Sequence, residues 1–163
     1  MIEAHFNLDE LIQKASDAAE ALVDDIILAM QAACLDVVTM ARTLPSPPAT
    51  IREQPHQPNY IDDTGYLRGS IGYALYNDGI LVTQNFDPTN KGEGVTSGVE
   101  AAKVTANQVA AQFPSGIVAV IVCGADYAAA VESKGYDVLT GSTKQLQKIF
   151  KGYMDEVKAV HGL

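Results

Sequence analysis

LRGSIGYALYNDGILVTQNF, residues 67–86, decides the architecture of this chain. Two runs rich in Tyr, Ile, Leu and Val, Leu67–Tyr76 and Ile80–Phe86, flank Asn77-Asp78-Gly79. An Asp-Gly step between such runs is a hairpin signal, because both residues tolerate the positive φ that a tight turn needs. A third strand is expected at Ile117–Cys123, IVAVIVC, whose continuous apolar character predicts a central strand buried on both faces.

Helices surround these strands. Asn7-Leu-Asp-Glu10 reads as a capping box, and apolar residues then recur every three or four positions from Leu8 through Leu22 and Val37 to Met40. No Gly or Pro interrupts this stripe before Arg42, so one helix of about 50 Å is predicted. That is longer than a domain of this size covers with its own core, so the helix either kinks or lends part of its stripe to another subunit. Ser97-Gly-Val-Glu100 and Ser142-Thr-Lys-Gln145 read as two further capping boxes, one opening a helix that Pro114 ends and the other opening the last helix. Asp126 is placed to cap a short helix that Gly135 closes. Pro45, Pro47, Pro48, Pro55 and Pro58 mark a flexible Pro-rich loop at 43–63. The expected fold is a single α+β domain over residues 1–163: a long N-terminal helix and further helices packed on a small, mostly antiparallel sheet.

Composition narrows the function classes. The 163 residues are 47% hydrophobic with a mean hydropathy of +0.04, which supports a packed core and argues against disorder. Eleven basic residues stand against twenty acidic ones, a formal net charge of −9. The basic residues are scattered, and Lys144, Lys148, Lys151 and Lys158 at helical spacing read as a solvated face, so no specific nucleic-acid binding is expected. No apolar run approaches membrane-spanning length, and the first residues show no signal-peptide pattern.

A search for chemistry yields no catalytic residue, no cofactor and no metal site. His5, His56 and His161 have no metal-ligand spacing, and Gly69-Ser-Ile-Gly72 is not a nucleophile elbow. Lys91-Gly-Glu-Gly94 lacks the ending of a phosphate cradle, and Asp62 and Asp63 read as turn and capping carboxylates, not a cation site. Cys34 and Cys123 are read as buried thiols, with a disulfide between them as the alternative. Arg68 and Glu132 each stand in an apolar context; they either pair, within the domain or across a subunit boundary, or lie on solvated surfaces.

Two motifs remain. Asp63-Thr-Gly-Tyr-Leu-Arg-Gly-Ser-Ile71 resembles the DTG-x-L-R-x-S-I signature of tailed-phage tail-completion proteins, also called head–tail joining or minor tail components. Tyr127-Ala-Ala-Ala-Val-Glu-Ser-Lys-Gly135 is similar to that family's Y-A-x-x-V-E-x-G, with one extra residue before the glycine. The order of elements agrees, and the resemblance covers most of the chain; the helix expected at 97–113 and the Tyr136–Leu139 extension depart from it. It implies a non-enzymatic virion or prophage protein, assembled in the host bacterial cytoplasm, that forms a ring, commonly a hexamer, at the neck. The implied partners are copies of itself, the phage connector and tail-tube or tail-terminator proteins, with DNA passing through the ring. The interface candidates it implies are Asp63, Thr64, Gly65, Leu67, Arg68 and Ser70 from the first motif, and Tyr127, Val131, Glu132 and Gly135 from the second. The alternatives are a small cytosolic binding or adaptor domain, and a small hydrolase built on Cys123, Glu132 and Tyr127.

Overall fold

An apolar stripe with no helix breaker gives one unbroken helix, α1, over Leu8–Arg42 in the computed structural model, which describes residues 7–43, 60–86 and 92–163. Asn7 caps it, its side-chain oxygen accepting the Glu10 N–H at 3.3 Å, while the Glu10 carboxylate turns outward to Lys14 at 2.6 Å. Apart from Thr43 and Tyr60–Asp63, the Pro-rich segment lies outside the described residues, as do His5, His56 and Lys91.

The chain then forms a helical turn, α2 (Tyr66–Gly69), and a hairpin of β1 (Ile71–Asn77) and β2 (Ile80–Asn85). Asp78 and Gly79 close the hairpin with φ of 49° and 76°, the pair of left-handed residues that a type I′ turn requires. The first strand starts four residues later than Leu67. The Asp62 carboxylate binds the N–H groups of Leu67 and Arg68 at 3.3 and 2.9 Å, which holds that stretch in a helical turn. Next come α3 (Val95–Ala110), β3 (Ile117–Cys123), α4 (Ala128–Ser133), α5 (Thr140–Thr143) and α6 (Leu146–His161). The three strands form an antiparallel sheet in the order β2-β1-β3, so the fold is α+β, with helices packed on a small sheet. No helix among the described residues is long and apolar enough to cross a membrane.

Among the described residues β3 is therefore an edge strand and β1 the central one. Its continuous apolar run has a different cause: α1 packs on one side of β3 and α3 on the other, so both faces need apolar residues although one edge is unpaired. Three expected caps are also displaced. α3 starts at Val95 after Gly94, with Ser97 inside it and Glu100 bonded to Lys103 at 3.0 Å. Tyr127, not Asp126, precedes α4, and Ser142 is buried within α5. α3 faces inward through Gly98, Ala102, Ala106 and Ala110, a stripe of small residues four apart, whereas Phe113 lies beyond the helix and is exposed. A Cβ on Gly98 would strike the Tyr66 carbonyl, and one on Gly124 would strike the backbone of Ala102, so helix and sheet approach backbone to backbone.

The core has two parts, one between the sheet and α1 (Cys34, Val38, Leu67, Tyr73, Val138) and one between the sheet and α3 (Ala74, Tyr76, Ala106, Val122). Arg42, buried in the last turn of α1, joins helix to sheet. Its guanidinium donates to the Ile71 carbonyl from Nε at 3.0 Å and Nη2 at 2.7 Å, and to Asn85 at its side-chain oxygen (2.9 Å) and carbonyl (3.2 Å). Replacing Arg42 with Met should remove about 3 kcal/mol of stability, since the Ile71 carbonyl stays buried without its donors. Arg42→Lys should recover only part, because one ammonium cannot span the forked set. Urea denaturation of the three proteins measures this; a loss below about 1 kcal/mol for Arg42→Met would mean that water replaces the guanidinium.

Candidate functional site

The two sequence motifs meet in space. Ser70, at the end of the first, is fully buried; its hydroxyl donates to the Leu67 carbonyl at 2.7 Å and accepts the Ala125 N–H at 3.1 Å. Its carbonyl accepts the Gly124 N–H at 2.9 Å, which fixes the chain where β3 turns towards α4. Tyr66 and Tyr127 stack beside this tether, with ring centroids 5.9 Å apart and planes inclined by 27°. Tyr127 keeps 41% of its surface exposed, so the aromatic pair presents an outer face.

The Asp63-Thr64-Gly65 turn is backed by a second chain segment. The Thr64 carbonyl accepts the Gly94 N–H at 2.9 Å, and the Thr64 hydroxyl accepts the Tyr66 N–H at 3.3 Å. A side chain on Gly92 would collide with the Thr64 carbonyl, so the segment lies flat against the turn. Asp63 and Thr64 are exposed, Gly65 has φ 74°, and Leu67 is buried in the α1-side core. Arg68 lies over the Tyr60 ring, 5.2 Å from its centroid, and reaches the Arg42 carbonyl at 3.5 Å, a cation at the negative end of α1.

Glu132 follows neither of the alternatives that the sequence left open, a pair with Arg68 or a solvated surface. One carboxylate oxygen accepts the N–H groups of Leu139 and Thr140, both at 2.9 Å, and the other accepts the Thr140 hydroxyl at 2.7 Å. It thus caps α5 from α4 and closes the loop between them. Partial burial works against its charge, but the Leu139, Thr140 and Val138 N–H groups and the Thr140 hydroxyl outweigh that and hold the carboxyl below its ordinary 4.5. Val131 packs against the same core as Leu67, and Gly135 ends α4 with φ 89°, its N–H on the Glu132 carbonyl at 2.9 Å.

Polar groups at this junction are engaged in holding backbone. Cys34 is buried and Cys123 half-buried, and both are free thiols. Burial raises the Cys123 thiol above its ordinary value despite the Ser70 hydroxyl 3.2 Å away, and burial lifts Cys34 to about 11. A thiol so placed is a poor nucleophile at neutral pH. His161 bonds Asp25 at 2.8 Å on the seam between α1 and α6. Among the described residues no group of three or more His, Cys, Asp or Glu could hold a metal ion. No protein-family model, curated protein or solved structure matches the chain.

Sequence reasoning passed over Arg42, whose only signal was a cation ending an apolar stripe. It also named Tyr66 without a partner, because nothing along the chain pairs residues so far apart.

Two measurements probe the junction. Glu132→Gln should lower stability by about 1 kcal/mol at neutral pH, an amount kept small by solvent exposure. The folded carboxyl is below 4.5, so its contribution is complete above that pH and fades as pH falls through the lower folded value. Stability curves of wild type and variant should therefore run parallel near neutrality and converge below pH 4.5; a gap unchanged into strong acid would assign the loss to packing. Tyr66→Ala, Tyr127→Ala and the double variant should give a coupling of about 0.5–1.5 kcal/mol in a thermodynamic cycle, and strict additivity would mean the stack contributes nothing.

Proposed function

We propose that this chain is a non-enzymatic structural protein of a tailed phage or prophage, forming a ring at the head–tail junction that joins or completes the tail. The observation that carries the reading is the junction itself. The two motifs behind the resemblance lie side by side, with Tyr66 stacked on Tyr127 and Ser70 bonded to Ala125, two residues ahead of the second motif and 55 positions away. In a ring, the partly exposed aromatic pair and the turn at Asp63–Gly65 supply a rigid contact surface, held from behind by Ser70, Asp62 and Glu132. A surface of this kind works by shape, which suits a protein whose neighbours are other virion components.

Charge supports the same reading. With a net charge of −9, a ring wall made from this chain repels the DNA phosphates and offers little opportunity for counterion-releasing contacts. DNA then slides through without being gripped. The partners are copies of the same chain, the connector above and the tail-tube or terminator proteins below. Virion localisation follows from that placement.

Native mass spectrometry of the purified chain, alone and mixed with isolated connector, tests the proposal. A closed assembly of one stoichiometry is expected, disrupted by Tyr127→Asp without loss of fold by circular dichroism. A chain that stays below ring size in both samples overturns it.

A further inference from the structure

The seam between α1 and α6 continues past the point where α6 ends. α6 runs antiparallel to α1, with Tyr153 bonded to Asp36 at 2.9 Å and His161 to Asp25 at 2.8 Å. Asp25, Ala29 and Ala32 of α1 face Tyr153, Val157 and Val160 of α6. Counting back from Asp25 in alternating steps of three and four, the same line on α1 runs through Leu22, Ala18, Ala15, Leu11 and Leu8. Short of Leu22, which is half-buried, nothing described covers it there. Residues 8–21 are exposed, with Leu8 at 58%, Leu11 at 50% and Ile12 at 59%. The uncovered arm from Leu8 to Ala21 is about 20 Å long. Helices draw most of their stability from packing an apolar face, so this one calls for an occupant.

We propose that the occupant is the same arm of a second copy, laid antiparallel across a two-fold axis near Ala15. Two features of the arm select a second copy. Asp9, Glu10, Asp17, Glu20 and Asp24 all lie off the seam, and the positions flanking it hold Ile12, Lys14, Ala19 and Ala21, so two arms meet without opposing carboxylates. Side-chain size is also self-complementary about Ala15, which faces its own copy: Leu8 of one arm falls opposite Leu22 of the other, and Leu11 and Ile12 fall opposite the small Ala19 and Ala18. In the antiparallel arrangement Leu8 of each arm packs on Leu22 of its partner, Leu11 and Ile12 sit over the partner's alanines, and those alanines let the backbones approach. The contact is isologous and closes on itself, unlike the head-to-tail contacts that build a ring. It therefore stands whether or not the chain joins a head to a tail.

Sedimentation velocity on the full chain tests the association, and cysteine cross-linking tests its direction. Wild type should sediment as a dimer, or as an even-numbered assembly, and Leu11→Asp on the exposed face should weaken association at least tenfold with helicity retained. Under mild oxidation Ala15→Cys should link to itself. Leu8→Cys should not, but should link to Leu22→Cys when the two proteins are mixed. A monomeric wild type, a mass unchanged by Leu11→Asp, or Leu8→Cys linking to itself as readily as Ala15→Cys does would overturn the proposal. A dimer sensitive to Leu11→Asp that never grows into a closed ring keeps this contact and removes the ring reading alone.

Discussion

The guanidinium of Arg42 is the point on which helix, hairpin and junction all rest. β2 ends at Asn85, opposite Tyr73, so the beginning of β1 runs past the end of its neighbour. The Ile71 carbonyl there would be a buried acceptor without a strand partner on that side. Arg42 supplies the missing donors and reaches Asn85 with the rest of its fork, so a side chain continues the work of the ladder. Because Arg42 is the last residue of α1, this also fixes where the long helix stops relative to the sheet. Arg68 completes the arrangement from the other direction, reaching the Arg42 carbonyl. The first motif is thus built onto the end of α1.

From that anchor the two motifs assemble by backbone contacts. α3 lies close against α2 and β3 because Gly98 and Gly124 leave room, which draws Tyr66 and the end of β3 into one neighbourhood. Ser70 then spans the gap with one hydroxyl and one carbonyl. Asp62 and Glu132 perform the same service at either side: each is a carboxylate that accepts two successive backbone N–H groups where a short helix begins. The charged residues of the motifs therefore act as fasteners, and the outward-facing part is aromatic and turn backbone.

Much of this was legible along the chain, and the failures share a cause. The extent of α1 followed from an unbroken period and from Asn7, and the hairpin followed from Asp78-Gly79, because both signals are local. The rank of β3 in the sheet is not local. An apolar run reports covered faces, and edge position depends on hydrogen-bond partners that periodicity does not encode. The displaced caps at Ser97 and Ser142 show that a Ser followed three residues later by Glu or Gln also occurs inside helices. At four residues, α2 is too short to have a period at all. In the candidate site, the motif residues were visible but their contacts were not: Glu132 spends its oxygens seven and eight residues ahead, not on Arg68.

α1 is an unbroken rod of 35 residues, held by α6 and the sheet over its second half and bare over its first. Such a rod is a lever. A sideways load on Leu8 acts through a length of about 25 Å before it meets the first brace, the bond between Asp25 and His161. The torque falls first on that contact and on the packing of α1 against α6 and the sheet, which shield Arg42, Arg68 and the start of β1 from movement of the distant tip.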